Sequence, residues 1–353
     1  MTEARSDAHT WPEVLSALIG RTDLSADQAT WAMSEILSGE ATPSQIAGFA
    51  VALRAKGESI DELVGLVDAM HLHGVPLPLE GRWLDVVGTG GDRSMSVNIS
   101  TMAAIVAAAA GAKVIKHGNR SASSKSGAAD VLEALGVRLD VRPERVAAVA
   151  QSAGIGFAFA PAFHPALRHA AVPRRELGVG TTFNLLGPLA NPARPAAQAI
   201  GCADVRMAPL MAGVYARRGV AAWVFRGDDG LDELTTTTTS RVWLVAGGAV
   251  SEIAVAPEDV GLPRGTAEDL RGGDAAHNAD VVRRLVDGQD GPVRDAVVLN
   301  AGAALAVYAD GAGDPLERLR DGVEAARRAI DDGSARRTLD LWVTSTAAAV
   351  EGA

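Results

Sequence analysis

A single cysteine, Cys202, stands in the 353 residues, which excludes an internal disulfide framework and a thiolate metal cluster. Long apolar runs are missing as well. No stretch approaches the roughly 18 uninterrupted apolar residues of a membrane span, and the opening MTEARSDAHTW lacks the basic-then-apolar layout of a secretory signal. The expectation is a cytoplasmic chain with no membrane partner. Positive charge is in deficit: 33 Lys and Arg face 43 Asp and Glu, a net charge of -10. That balance argues against wide nucleic-acid binding, which needs a basic face to neutralise phosphates. Disorder as the main state is excluded by 48% hydrophobic against 22% charged residues. The length suits roughly two domains of ordinary size.

An anionic ligand must therefore be held by a local exception, and the scarce lysines supply one. Three of the four, Lys113, Lys116 and Lys125, fall in one short stretch; no acidic residue occurs between Asp92 and Asp130, while Arg93, Arg120 and His117 add to the basic side. A solvated basic face arising by chance is the alternative.

From Trp11 to about Met70 the pattern is that of short amphipathic helices. Ser25 to Gln28 and Ser59 to Glu62 have capping-box spacing, and Thr42-Pro43 gives an N-cap followed by proline at the first helical position. Trp31, Ile36, Leu37, Ile46, Phe49, Val51 and Leu53 supply a core face. His71 and His73 read as loop residues. After Gly74 strand, glycine turn and helix alternate: Trp83 to Val87, then Gly88-Thr-Gly-Gly-Asp92 and a helix opening near Asn98; Ala112 to Lys116, then a turn and a helix restarting at Ser124. Further strands are expected at Ile155 to Ala160, Gln198 to Cys202, Ala221 to Phe225 and Arg241 to Val245. Their leucine, valine and alanine content suits a largely parallel sheet covered by helices. The expected division is a helical domain over 1–76 and an α/β domain over 77–353. Helices from about 163–192 either join the first or bridge the two. Gly261 to Gly273 reads as an exposed loop, and Thr235 to Thr239 as a strand edge or loop.

Chemistry concentrates at the first two strand ends. Gly88, Gly90 and Gly91 leave backbone N–H groups unobstructed, and the following helix adds its positive dipole end, so the turn can cradle an anion such as phosphate. A glycine turn alone is weak, and GTGGD lacks the spacing of a dinucleotide fingerprint. The second turn strengthens it. Lys116-His-Gly-Asn-Arg-Ser-Ala-Ser-Ser124 offers a lysine, an arginine, hydroxyls and an amide, so two adjacent cradles could grip a ligand with two separate phosphate groups. Ser100 and Thr101 add hydroxyls between them, and Ser123 and Ser124 also suit ordinary capping. The third cluster is Asp228-Asp-Gly-Leu-Asp232-Glu233. Carboxylates at a strand end suit a hard cation such as magnesium alongside substrate phosphates; a solvated acidic loop is the alternative.

Taken together, GTGGD at Gly88, NIST at Asn98, KHGNRSASSKSGAADVLEALG at Lys116, RRELG then FNLLGPLANP from Arg174, and DGLDE at Asp229 resemble anthranilate phosphoribosyltransferases, over nearly the whole chain. The resemblance implies a small all-helical N-terminal domain, an α/β domain of the nucleoside phosphorylase/phosphoribosyltransferase class, and a homodimer built through the helical part. It implies that anthranilate attacks C1 of 5-phosphoribosyl 1-pyrophosphate and that pyrophosphate leaves. By the same resemblance Gly88, Gly91, Asp92, Ser96, Asn98, Ile99, Ser100, Thr101, Lys116, His117, Gly118, Asn119, Arg120, Ser121, Ala122, Ser123 and Ser124 hold the phosphoribosyl donor. Ser100, Asp232 and Glu233 hold two magnesium ions per subunit. Asn119 and Arg174, with Gly88 beside them, contact anthranilate; His164 and Pro161 line its approach, and Ala128 lies near the substrate. Lys116, Asp232 and Glu233 are the expected catalytic groups, acting on the leaving pyrophosphate, and no general base is implied. Many relatives carry His-His-Pro where this chain has Phe163-His164-Pro165, and an arginine or other residue at Gly180; neither departure touches the phosphate or metal positions. Two other readings share the architecture: a pyrimidine-nucleoside phosphorylase, whose phosphate loop and base pocket differ from GTGGD and KHGNR, and a non-catalytic nucleic-acid-binding relative, which would carry basic helices and lose DGLDE.

Overall fold

The computed structural model describes residues 9–120 and 125–351, so Ser121, Ala122, Ser123 and Ser124 lie outside the described residues. The chain forms two compact units, one of Met1–Pro76 with Phe163–Ala190 and one of Leu77–Ala162 with Asn191–Ala353.

The first unit is built on α1 (Trp11–Ile19), α2 (Ala26–Ser38), α3 (Pro43–Lys56) and α4 (Ile60–His73). Each opens on a reciprocal capping box: Thr10 with Glu13, Ser25 with Gln28, Thr42 with Gln45 and Ser59 with Glu62. Such caps satisfy amides that the first helical turn leaves bare, at about 1 kcal/mol each. Glu62 is also a buried anchor, accepting from the Leu24 N–H at 2.9 Å and from Lys56 Nζ at 3.0 Å. Trp11 packs against Trp31 and Phe49 at ring separations of 5.4 and 6.0 Å. Val51 departs from the expected core face and is exposed. At about 100° per residue it points well away from Phe49, while Ile46 and Leu53 fall on the buried stripe. His71 and His73 close α4 instead of lying in a loop.

The segment 163–190 completes this unit with α9 (Ala171–Leu177) and short 3-10 turns. His164, only 4% exposed, sets its Nε2 2.9 Å from the Ala190 carbonyl. Burial pulls its basicity down, while carbonyls of Ala190 and Met70 oppose that. The imidazole thus staples the unit internally.

The second unit carries a seven-stranded sheet in the order β3-β2-β1-β4-β5-β6-β7. Its strands are β1 (Leu84–Gly88), β2 (Val114–Gly118), β3 (Ile155–Phe159), β4 (Ala197–Gly201), β5 (Ala221–Gly227), β6 (Ser240–Ala246) and β7 (Ala249–Val255). The first five run parallel; β6 and β7 are antiparallel. The helices are α5 (Ile99–Ala109), α6 (Ala128–Leu135), α7 (Pro143–Ala153), α8 (Ala160–Phe163, at the boundary of the units), α10 (Met207–Arg217), α11 (Ala275–Val286), α12 (Pro292–Ala309), α13 (Pro315–Asp331) and α14 (Ser334–Glu351). Alanine-rich α5 is buried along most of its length, packing on β1 and α12, while α10 covers β5 and β6.

β7 went unforeseen because its residues are mostly exposed and carry no apolar run. The Gly247-Gly248 turn before it, with φ of 57° and 78°, was the available signal. Residues 261–273 are largely exposed, yet their backbone is pinned to the turn after β1: the Val97 N–H donates to the Leu270 carbonyl at 2.9 Å and the Gly272 N–H to the Met95 carbonyl at 2.8 Å. The helix expected from Ser124 begins at Ala128. Its N-cap is Gly127, whose N–H donates to Asp130 at 2.9 Å.

Candidate functional site

In a parallel sheet the carboxyl ends of the strands share one edge, where successive turns converge. The turns after β1, β2 and β5 meet there, and glycines make that possible. Gly88 and Gly201 sit side by side on β1 and β4. A Cβ on Gly88 would strike the Asp232 carboxylate, and one on Gly201 would strike the Asp232 carbonyl. Two residues without side chains thus let the segment 232–233 lie across the ends of both strands. Gly90 and Gly91, at φ of 68° and 82°, turn the chain in the left-handed region. The Gly90 N–H donates to Asp232 Oδ2 at 2.7 Å.

Glu233 is buried and points the other way, accepting from the Ser100 N–H at 3.0 Å. This corrects the expected anion cradle at the start of α5. The Ser100 amide is taken by Glu233, while those of Ile99 and Thr101 donate to the carbonyls of Val97 and Asn98. The protein has supplied its own carboxyl oxygen to the helix start.

Lys116, 1% exposed, donates from Nζ to the Val86 carbonyl and, at 3.3 Å, to Ser100 Oγ. Burial pulls its ammonium down, and Asp85, Glu233 and Asp232 oppose that. Burial raises Asp232 to about 7, with Asp92 adding repulsion. Glu233 is pushed well up by burial and then by Asp232, against the pull of Lys116. Among the described residues, Asp92 Oδ2 and Thr101 Oγ1 are buried with no hydrogen-bond partner. Crowded carboxylates driven towards their neutral form are what a cation site looks like before the cation's charge is counted. Among the described residues no group of three or more His, Cys, Asp or Glu converges as a ligand set. The candidate ligands are the two carboxylates of 232–233 with the Ser100 hydroxyl.

The remaining expected residues divide. Asn98 is held in a fixed orientation. Asn278 accepts the Gly273 N–H at 2.8 Å, so its amide nitrogen donates to Asn98 Oδ1, also at 2.8 Å, and Asn98 Nδ2 donates to the Ser126 carbonyl at 3.3 Å. Ser96 pairs with Ser94, hydroxyl to hydroxyl, at 3.1 Å. His117 is buried and its N–H donates to Asp85 Oδ1 at 3.1 Å. Gly118 and Asn119 lead out of β2, and Asn119 Oδ1 accepts the Arg120 N–H at 2.7 Å. Arg120 is spoken for by Asp130 and Glu133 at 2.7 and 2.6 Å. Ala128 opens α6.

Lys113 does not join this edge. It precedes β2, and its Nζ lies 5.8 Å from the Trp83 ring centroid. Asp228 and Asp229 also fall away from the candidate metal ligands. Asp229 is tied to the hydroxyls of Thr235 and Thr237, while Asp228 is exposed and 3.8 Å from Arg241. The threonine run therefore serves to fold the acidic loop. Pro161 is exposed. Arg174, in the first unit, lies half-buried in the last turn of α9 with its guanidinium 5.6 Å from the Phe183 ring centroid.

Two buried polar residues escaped the sequence reading, Asp85 and Asn191, joined at 2.8 Å. Burial raises Asp85 to about 6 even though Lys116 pulls it down. An aspartate interrupting the apolar run Leu84 to Val87 was the signal that could have found it.

The profile of the glycosyl transferase family, helical bundle domain, matches residues 12–74, and that of the glycosyl transferase family, a/b domain, matches residues 80–336. Anthranilate phosphoribosyltransferase of a Nocardioides species is 69% identical over 338 residues, 96% of this chain and 99% of that protein. The crystal structure of anthranilate phosphoribosyltransferase from Thermus thermophilus superposes with a TM-score of 0.89 at 41% identity, covering 95% of this chain and 99% of that one. The Saccharomyces cerevisiae anthranilate phosphoribosyltransferase in complex with PRPP and Mg superposes with a TM-score of 0.87 at 25% identity, covering 96% of this chain and 98% of that one. With likeness extending through both units, the chain belongs to the anthranilate phosphoribosyltransferase family.

Proposed function

We propose that this protein transfers the phosphoribosyl group of 5-phosphoribosyl 1-pyrophosphate to anthranilate, giving N-(5-phosphoribosyl)anthranilate and pyrophosphate in tryptophan biosynthesis. One observation carries the reading: the carboxylates of Asp232 and Glu233 are tied to Gly90 and Ser100, at the two ends of the first phosphate turn. An acidic pair lodged within a phosphate-binding turn fits a diphosphate leaving group that arrives with a cation. Neither phosphorolysis nor nucleic-acid binding calls for that arrangement.

The donor set fits magnesium: hard oxygens, one or two carboxylates, and crowding that an added positive charge relieves. Asp232, Glu233 and the Ser100 hydroxyl would hold it, as two ions per subunit. Bound there, magnesium would neutralise charge developing on the pyrophosphate.

The chain's own residues do the rest. The Gly91 amide and the residues from Lys116 into the turn after β2 orient the phosphates, fixing C1 for attack. Lys116 holds an ammonium beside Ser100, a fixed positive charge in a low-dielectric setting where it counts for more than in water. Asn119 and Arg174 orient anthranilate, and the guanidinium fork suits its carboxylate. An aryl amine keeps its lone pair at neutral pH, so deprotonation follows attack and no side chain is assigned as general base. The helical unit and the α/β unit act as separate domains of a cytoplasmic enzyme.

Loss of anthranilate fluorescence that requires both phosphoribosyl pyrophosphate and magnesium tests the reaction; loss without the donor would overturn it. Arg174→Ala should raise the KM for anthranilate by about tenfold or more and leave that for the donor within about twofold. Equal effects on both would remove Arg174 from the acceptor site.

The protein acts as a homodimer through its helical unit. Ile19 and Leu72, at 76% and 71% exposed, and Val51, Val172 and Val179 leave apolar surface uncovered there, as a self-complementary interface requires. Light scattering at micromolar concentration should give twice the 36.3 kDa chain mass. A monomer would contradict the assignment.

A further inference from the structure

β1 and β2 do not pair along their length. The parallel ladder registers only Leu84 with Val114, although β1 pairs with β4 from Leu84 to Gly88 and β2 with β3 from Val114 to Gly118. The next ladder step would join the Val86 N–H to the Ile115 carbonyl and the His117 N–H to the Val86 carbonyl. Side chains hold all four groups instead. The Asp85 carboxylate takes the N–H of His117, at 3.1 Å, and that of Val86. Asn191 Nδ2 donates to the Ile115 carbonyl at 2.9 Å, and Lys116 Nζ takes the Val86 carbonyl. Asn191 closes the arrangement by donating to Asp85 Oδ2 at 2.8 Å.

This is an expensive way to join two strands. Asp85 is 0% exposed, and a buried carboxylate is destabilising unless its partners are complete. An apolar residue there would let the ladder close with no charge to bury. The opening is also confined to one place, between the two strands whose ends carry the phosphate turns.

We propose that Asp85 and Asn191 are positioning residues for the phosphoribosyl donor: inserted between β1 and β2, they hold the strand ends apart, so that the turns beginning at Gly88 and Gly118 face separate phosphate groups and the Lys116 ammonium is directed to Ser100. Neither residue touches substrate in this account. The proposal rests on the donor assigned above, and its test separates the two.

Asp85→Asn keeps the shape but leaves one oxygen where three donors converge. In the folded variant the KM for phosphoribosyl pyrophosphate should rise by about tenfold or more while that for anthranilate stays within about twofold. Asn191→Ala, which spares the Asp85 bonds to backbone, should shift the same parameter in the same direction. Hydrogen exchange on the free protein reads the wedge without substrate: Val86 and His117 amides should be protected in the parent and lose protection in Asp85→Asn, while Leu84 keeps it. Unchanged donor KM in both variants, or an equal rise in both KM values, overturns the proposal. Failure of both variants to fold also overturns it, since the pair would then serve folding alone. If the parent protein shows no transfer from phosphoribosyl pyrophosphate, the functional reading fails, while the exchange pattern still decides whether the wedge exists.

Discussion

Replacing Asp232 and Glu233 together by alanine is expected to cut turnover by about 10³-fold or more, with donor binding weakened less. The two carboxylates point in different directions, Asp232 to the Gly90 amide and Glu233 to the Ser100 amide, so neither single residue can replace the other. Leaving-group charge is greatest in the transition state, which is why the loss falls chiefly on kcat. Added magnesium should restore activity only in part. Stability should move the other way. Burial and mutual repulsion raise both carboxyls, so removing them relieves a strained cluster and should leave the melting temperature equal or higher. A double variant with parental turnover and an unchanged magnesium requirement would contradict the metal assignment.

The second large effect is expected at Gly201, a residue with no polar group to offer. Gly201→Ala places a methyl group on the Asp232 carbonyl and 3.3 Å from the Glu233 nitrogen. A backbone neighbour cannot swing aside as a flexible side chain can, so the segment 232–233 must shift. Even a shift of about 1 Å at a charge-stabilising group costs about a hundredfold in rate. Turnover should fall by that order, with a raised magnesium requirement and a nearly unchanged KM for anthranilate. Gly180→Ala is the control, since a Cβ there meets nothing within 4 Å. Parental kinetics in Gly201→Ala, or an equal loss in Gly180→Ala, would contradict the account.

Much of this was legible in the chain because local chemistry and global fold agree. Capping boxes at Ser25 and Ser59 announce helices by their own hydrogen bonds. The alternation of apolar strand, glycine turn and helix announces a parallel sheet whose turns gather at one edge. What stayed hidden depends on contacts distant in sequence. Glu233 reaching the α5 amide spans 133 positions, so a helix start that reads as open for phosphate is already filled. Lys113 and Lys116 are close in sequence, but Lys113 precedes β2 beside the Trp83 ring while Lys116 is buried in the middle of that strand, which no charge count can tell apart. The staple that His164 makes to the Ala190 carbonyl spans 26 positions and has no local signature either. Asp85 and Asn191 matter through a ladder that fails to form, and strand pairing has no local signature.

The most direct test of the central claim is stoichiometry. With phosphoribosyl pyrophosphate, anthranilate and magnesium supplied, the account predicts one pyrophosphate released for each anthranilate consumed, and a product whose mass is that of anthranilate plus one phosphoribosyl group. Neither change should occur when one substrate is withheld. Pyrophosphate released at the same rate without anthranilate, or anthranilate consumed with no pyrophosphate formed, would contradict it.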